Sequence, residues 1–294
     1  ESLIPALQAA AGGNKVPAHV TKISAEGITR VNLIDAAPIG INVRSTIATY
    51  SGISDDLRKL FAGTKAAKEK KLTASAFSYN TGTLRCPTCD GTGQISLDVQ
   101  FLPDVTITCP DCRGSRFGKE AESILWTPKK SAQSYSLPEL MRMTVRKALP
   151  VFSASGIHKI AERLSVLQDL GLGYLTLGED TPALSGGEAQ RLKLAADMGK
   201  TQNDAVFVFD EPTIGLHPLD VQVLLGVFHR LVEAGATVVV IEHDLDVIAN
   251  SDYIIDMGPG GGAAGGKIVA YGTPEEIAQN PASITGRYLA EVLK

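Results

Sequence analysis

Four cysteines stand as two close pairs, Cys86-Pro-Thr-Cys89 and Cys109-Pro-Asp-Cys112, with nineteen residues between the pairs. The chain contains no other cysteine. Two Cys-x-x-Cys pairs supply four thiolates, the donor set of a closed tetrahedral zinc site. Two disulfides are the competing reading, but a chain of 294 residues with ample apolar material does not need them. A redox dithiol uses one such pair, not two. The spacing therefore predicts one Zn2+ on Cys86, Cys89, Cys109 and Cys112, in a reducing, cytoplasmic setting. Glycines follow each pair (Gly91, Gly93 and Gly114) and let the backbone fold back so that N–H groups face the sulfurs. Between the pairs, Ile95, Leu97, Val99 and Phe101 alternate with polar residues, which is strand period. Leu102-Pro103-Asp104 turns the chain and Val105–Thr108 returns, so zinc is expected to clamp the base of a hairpin within a module spanning 84–120.

A second set of residues is suited to phosphate chemistry. In Leu184-Ser185-Gly186-Gly187-Glu188-Ala189-Gln190-Arg191, Ser185 and Glu188 have capping-box spacing. Gly186 and Gly187 leave the first helical turn bare, with its N–H groups open to an anion. Asp210 and Glu211 close the apolar run Ala205–Phe209, and Pro212, Gly215 and Pro218 impose a tight turn just after them. An Asp at the C-terminal end of a buried strand can hold Mg2+, and an adjacent Glu can orient and deprotonate an attacking water. His243 ends the next strand, at the same sheet edge.

The elements that must position these residues follow from periodicity. Leu3–Ala11 reads as the end of a helix stopped by Gly12-Gly13, and Ile28–Asp35 as a strand leading to a loop at Pro38-Ile39-Gly40. Ser54–Lys71 and Leu137–Leu170 read as helical, while Asn80–Gly118 turns rich in Gly, Pro and Cys, the mark of an inserted module. Ala205–Phe209 and Ala236–Ile241 are apolar at almost every position, as in strands buried on both faces. Between them Val221, Leu224, Leu225, Phe228, Leu231 and Val232 form one helical face, ended by Gly235. Strand, crossover helix and strand make a parallel β-α-β unit, so the fold class is α/β.

Composition bounds the function. Hydrophobic residues make up 44% of the chain and charged residues 20%, which excludes wholesale disorder. The net charge of −4 excludes a protein that coats nucleic acid non-specifically, so any such contact is local. From Arg113 to Arg163 ten basic residues face four acids. Beside a zinc hairpin, that surplus favours phosphate contacts, with Arg113, Arg116 and Lys119 as the DNA-binding candidates, although a solvated helix face gives the same count. The longest apolar runs are far short of a membrane span. The start Glu1-Ser2-Leu3-Ile4-Pro5 has no signal-peptide character and reads as the edge of a fragment.

Leu184–Arg191 resembles the signature motif of ABC ATPases. Val208-Phe209-Asp210-Glu211-Pro212 resembles Walker B with its catalytic Glu, Gly215–Asp220 the D-loop, and His243 the H-loop histidine. A four-cysteine module inserted before the signature resembles the UvrA family of DNA-damage sensors in bacterial nucleotide excision repair. Similar text recurs at Asp35–Gly40, Phe101–Val105, Gly171–Tyr174, Ile241–Ile248 and Thr285–Leu289, and corresponds to the second ABC half of that family.

The resemblance implies ATP, Mg2+ and Zn2+ as cofactors. It makes Glu211 and His243 catalytic, and places Asp210, Ser185, Gly186, Gly187, Gln190 and Asp220 at the nucleotide. It implies damaged DNA, an N-terminal ABC half, a second copy and a UvrB-like protein as partners. The domains expected are an ATPase part at 1–50, a signature and DNA-binding domain at 51–181 carrying the zinc module, and a second ATPase part at 182–294.

Two departures stand out. No Walker A loop is present: Gly261–Lys267 leads into Ile268 and an apparent strand, and Gly199-Lys200-Thr201 has Leu194 where the first Gly belongs. The chain is therefore expected to begin just after that loop and to be inactive alone. Ala36 stands where the family carries a Q-loop glutamine. That leaves open a UvrA paralogue of drug self-resistance. A chaperone-type zinc module is the non-ATPase rival, carried by Cys86–Gly93, but it lacks a signature motif. A transporter ATPase is a further rival, which the zinc insertion does not fit.

Overall fold

The computed structural model describes the chain except residues 1, 36, 38, 41, 98–104, 130, 199–201, 217, 259, 261–264 and 294. At Val105, Asp197 and 218–220 it describes the backbone alone. Two compact units result, one formed by 1–36 with 200–294 and the other by 37–199.

The first unit opens with helix α1 (Leu3–Ala11) and strand β1 (Arg30–Ile34), which pack together. The chain then builds the whole second unit. Its first helices are α2 (Ile47–Tyr50), α3 (Ile53–Ala62) and α4 (Lys65–Glu69). The single helix expected over Ser54–Lys71 is two, because Gly63 ends α3 and the Thr64 hydroxyl caps α4 by accepting from Ala67 N–H. Strands β2 (Gln94–Leu97) and β3 (Val105–Thr108) pair antiparallel, Gln94 opposite Thr108 and Leu97 opposite Val105. This is the predicted hairpin; its expected turn at Leu102-Pro103-Asp104, with Val99 and Phe101, lies outside the described residues.

Helix α5 (Lys119–Glu122) and the short pair β4 (Leu125–Trp126) and β5 (Tyr135–Ser136) follow. The expected run Leu137–Leu170 divides into α6 (Leu137–Arg142), α7 (Val145–Ala154) and α8 (His158–Asp169). Thr144 caps α7, and Gly156 at φ +70° turns the chain between α7 and α8. Ile47, Leu57, Phe61, Leu140, Phe152, Ile160 and Leu164 are fully buried, and Trp126 stacks on Phe152 with ring centroids 5.4 Å apart. A 3-10 turn (Thr181–Ala183) leads into α9 (Gly186–Asp197).

Residues 37–50 and the signature helix, expected with the ATPase core, thus fold with the zinc-bearing stretch. The reason is local pairing across long sequence separation. Thr46 bridges Asp180, Ile47 N–H donates to the Glu179 carbonyl (3.0 Å) and Ala48 N–H to that of Leu177 (2.9 Å).

Returning to the first unit, β6 (Ala205–Asp210) lies between β1 and β7 (Thr237–Ile241), all parallel. The register sets Ile34 beside Phe209 and Asp210 beside Ile241. Ala205–Phe209 are buried, and Asp210, at the strand's end, is exposed. Helix α10 (Pro218–Glu233) packs on β7 with Val221, Leu224, Leu225, Phe228 and Leu231 buried, and Phe209 meets Phe228 edge-on at 4.7 Å. Val232, assigned to that face from periodicity, is exposed instead. The unit closes with α11 (Leu245–Ala249), the antiparallel pair β8 (Ile254–Gly258) and β9 (Lys267–Gly272), then α12 (Pro274–Gln279) and α13 (Ile284–Val292). Ala270, Ile277 and Leu289 form their core. Lys267 therefore opens a strand, not the helix of a phosphate-binding loop. Among the described residues no helix is long and apolar enough to cross a membrane.

Candidate functional site

The four cysteines converge. All are buried, and their Sγ atoms lie within 4.8 Å of one another. Cys86 and Cys109 sulfurs are 3.9 Å apart, and those of Cys89 and Cys112 are 3.6 Å apart. A tetrahedral ion with Zn–S bonds of about 2.3 Å sets sulfurs about 3.8 Å apart, so the donor set fits zinc. A disulfide needs about 2.0 Å, so these thiols are unpaired. The Gly93 N–H donates to Cys89 Sγ at 3.2 Å. Gly91 has φ +75°, and a Cβ there would stand 1.8 Å from the Tyr79 carbonyl oxygen, so only glycine fits that turn. Burial pushes the Cys112 thiol up to about 12 and raises that of Cys86. Burial also opposes ionisation of Cys89, yet the Gly93 N–H and the neighbouring thiols outweigh it and lower its value. Metal binding here must therefore displace protons.

In the sheet-bearing unit, β6 and β7 bring three of the side chains expected at the nucleotide site to one edge. Asp210 sits at the last position of β6. Glu211 follows in the left-handed region at φ 46°, held there by its N–H donating to the Ile241 carbonyl (2.9 Å). A non-glycine residue in that region is a strained turn of the kind found at functional sites. Glu211 Oε1 lies 3.4 Å from His243 Nε2, and the His243 side chain is 85% exposed. The pair expected from sequence is therefore together, on the solvent side.

Glu242 was missed. Its Oε1 accepts from Thr213 N–H (2.8 Å), and its Oε2 accepts from His243 and Asp244 N–H (2.7 and 3.0 Å). It ties the turn after Glu211 to the end of β7. The only sequence signal was its position beside His243. Asp220 lies in the first turn of α10, with its side chain outside the described residues; His217 and Ala36 lie outside them as well.

In the zinc-bearing unit, Ser185 caps α9. Its hydroxyl accepts from Glu188 N–H (3.3 Å), while Glu188 Oε2 accepts from Ser185 N–H (2.7 Å). Burial works against the Glu188 carboxylate, but bonds from the Tyr174 hydroxyl and from Ser185 lower its pKa overall. Gly186 and Gly187 are half-buried in the first turn of this twelve-residue helix. Gln190, expected beside the nucleotide, is 3% exposed and offers no surface contact.

The DNA candidates separate. Arg113 and Lys119 are exposed, but Arg116 is 1% exposed and its guanidinium pairs with Asp180. Arg116 is corrected from a phosphate contact to an interior residue. Sequence counting treats each Arg as a surface charge, whereas here the fork fills the interior. The basic surplus is also partly spent: Arg142 pairs with Glu122 (3.7 Å), and Lys159 and Arg163 both pair with Asp56 (2.9 and 2.8 Å).

No protein-family model matches the chain. It is 47% identical over 273 residues to UvrABC system protein A of Staphylococcus aureus (strain COL), covering 92% of this chain and 28% of that protein. The chain is similar to UvrA. The protein of the same name from Mycobacterium tuberculosis (strain CDC 1551 / Oshkosh) is 43% identical over 285 residues, 96% of this chain and 28% of its own. Among solved structures, UvrA2 from Deinococcus radiodurans superposes with a TM-score of 0.84 at 41% identity, over 92% of this chain and 32% of that one. The UvrA resemblance read from the motifs is thus borne out, as is the α/β fold. The chain spans just over a quarter of the length of the curated UvrA relatives it matches.

Proposed function

We propose that the chain is the C-terminal ATPase half of a UvrA-like DNA-damage recognition protein, coupling ATP binding and hydrolysis to DNA binding. The observation that carries this reading is the Asp210, Glu211 and His243 edge of a parallel sheet, in a chain similar to UvrA over more than nine-tenths of its length. Asp210 would hold Mg2+, which neutralises charge on the transferring phosphoryl group. Glu211 takes the proton of the attacking water as general base. His243 lies within reach of the same carboxylate and orients it toward that water. Ser185, Gly186 and Gly187 offer the α9 N-terminus to the phosphates of a second, composite site. Cys86, Cys89, Cys109 and Cys112 hold Zn2+ at the base of a hairpin whose exposed neighbours Arg113 and Lys119 meet DNA phosphates. An N-terminal ABC half, a second copy and a UvrB-like protein complete the assembly, in the cytoplasm. Alone, the 294 residues carry no Walker A pattern and hydrolyse no ATP.

The test is Glu211→Gln in the full-length protein. The amide keeps the shape and loses the base, so nucleotide binding survives while turnover at this site falls by about 10²-fold or more. Unchanged turnover would remove Glu211 from the role. Ala36, in place of the Q-loop glutamine, favours a second reading, a UvrA paralogue of drug self-resistance. Failure of the gene to restore ultraviolet resistance to a repair-deficient strain would select that reading.

A further inference from the structure

Arg116 is among the largest side chains fully buried in the protein. Burying a guanidinium is costly unless its donors are matched; here both terminal nitrogens are matched, while the buried Nε–H has no partner. Nη2 donates to Asp180 Oδ1 and to the Val43 carbonyl (3.0 Å), and Nη1 donates to the Gly91 carbonyl (3.3 Å). The guanidinium carbon lies 5.0 Å from the centre of the Tyr79 ring.

The three acceptors come from three separate stretches. Gly91 belongs to the first cysteine turn, two residues before the amide that bonds Cys89 Sγ. Val43 lies on the segment that runs into α2. Asp180 immediately precedes the turn that delivers Ser185. The second Asp180 oxygen accepts from Gln94 Nε2 at 2.8 Å, so both of its oxygens face the cysteine module. Arg44 reinforces the junction: its Nη1 donates to the Asp90 carbonyl (2.8 Å) and its Nη2 pairs with the Asp90 carboxylate (3.1 Å).

From Asp180 onward the chain is held by backbone bonds. Thr181 N–H donates to the Ser45 carbonyl (3.0 Å), Ala183 N–H to that of Asp180 (3.0 Å) and Leu184 N–H to that of Thr181 (3.3 Å). The capping box of α9 comes next. The bonds thus form a continuous path from Gly91 through the guanidinium to Asp180, and five residues further on to Ser185.

We propose that Arg116 is a positioning residue: through Asp180 it makes the placement of Ser185, Gly186 and Gly187 depend on whether the four-cysteine knuckle holds its metal. The functional meaning rests on the reading that these three residues meet nucleotide; the link itself needs no nucleotide. Lysine cannot replace this residue, because a point charge does not span three acceptors.

Amide hydrogen exchange of the zinc-loaded and chelated chain tests the link. In wild type, chelation raises exchange at 184–188 about tenfold more than in α7, a coupling of ordinary size. In Arg116→Lys and Asp180→Asn that excess falls to about onefold, because the knuckle no longer reaches α9. A purely structural role would raise exchange with and without metal alike and leave the excess as in wild type, which overturns the proposal. An equal rise in α7 and at 184–188 in wild type overturns it too.

Co2+ in place of zinc reports the four-thiolate set through its thiolate charge-transfer absorption. That absorption is expected unchanged in both variants; its loss in both would confine Arg116 to building the knuckle. If the full-length protein bound no ATP, the functional reading would fall, while the exchange ratios would stand.

Discussion

Glu211 combines a backbone demand with the chemical role proposed for it. Its left-handed φ aims the carboxylate away from the buried end of β6 and toward His243. In the role proposed for it, the imidazole acts on the carboxylate and not on substrate affinity, so His243→Ala in the full-length protein should lower the turnover number more than it raises KM. Equal effects on both would place His243 in binding. Gly91 is the opposite case, a residue required for having no side chain. Gly91→Ala should cost more than about 1 kcal/mol of stability, since the positive φ and the Tyr79 carbonyl both exclude a Cβ. Thermal unfolding of the zinc-loaded chain measures it, and an unchanged midpoint would contradict the turn geometry.

Among elements, the start of β1 is pinned to the start of β6 by charge as well as by ladder bonds. Arg30 Nη2 pairs with Asp204 Oδ1 at 2.8 Å, and the Thr29 hydroxyl donates to the other oxygen. The Arg30 bond, then the Thr29 bond, hold the Asp204 carboxyl down to about 2. An unfolded Asp titrates near about 3.9. The folded value is the lower one, so this stabilisation is fully present above about pH 4 and is lost as pH falls through about 2. Asp204→Asn should therefore be less stable than wild type at neutral pH, and the gap should close in acid. A gap that stayed constant from pH 7 to pH 2 would show that the pair does not act through charge. The α9 cap obeys a simpler rule. Ser185→Ala removes an acceptor from Glu188 N–H and should cost about 1 kcal/mol in denaturant unfolding.

At the scale of the whole molecule, a net charge of −4 with exposed Arg113 and Lys119 makes any DNA contact local and salt-dependent. Replacing both with Ala in the full-length protein should weaken DNA binding for all sequences alike and reduce the slope of log affinity against log salt by about two. An unchanged slope would move the DNA surface elsewhere. Arg116→Ala, in contrast, should leave that salt slope unchanged, because its guanidinium faces Asp180 and not solvent.

The sequence by itself determined whatever depends on neighbours or on regular spacing. The cysteine pairs fixed a zinc-compatible set, because a Cys-x-x-Cys turn brings two sulfurs together locally. Period two marked Ile95 and Leu97 as strand, continuous apolarity marked β6 and β7, and Ser185 with Glu188 announced the α9 cap. Only the tertiary structure decided which partners met across distance. Arg116 and Asp180 are 64 residues apart in the chain, and nothing local to Arg116 distinguishes an interior strut from a surface cation. Glu242 reaches Thr213 across 29 residues, and its role exists only once β6 and β7 are paired. The long helical runs were likewise cut where Gly63, Thr64, Thr144 and Gly156 met their caps and turns, since periodicity records which face is apolar and not where the backbone breaks.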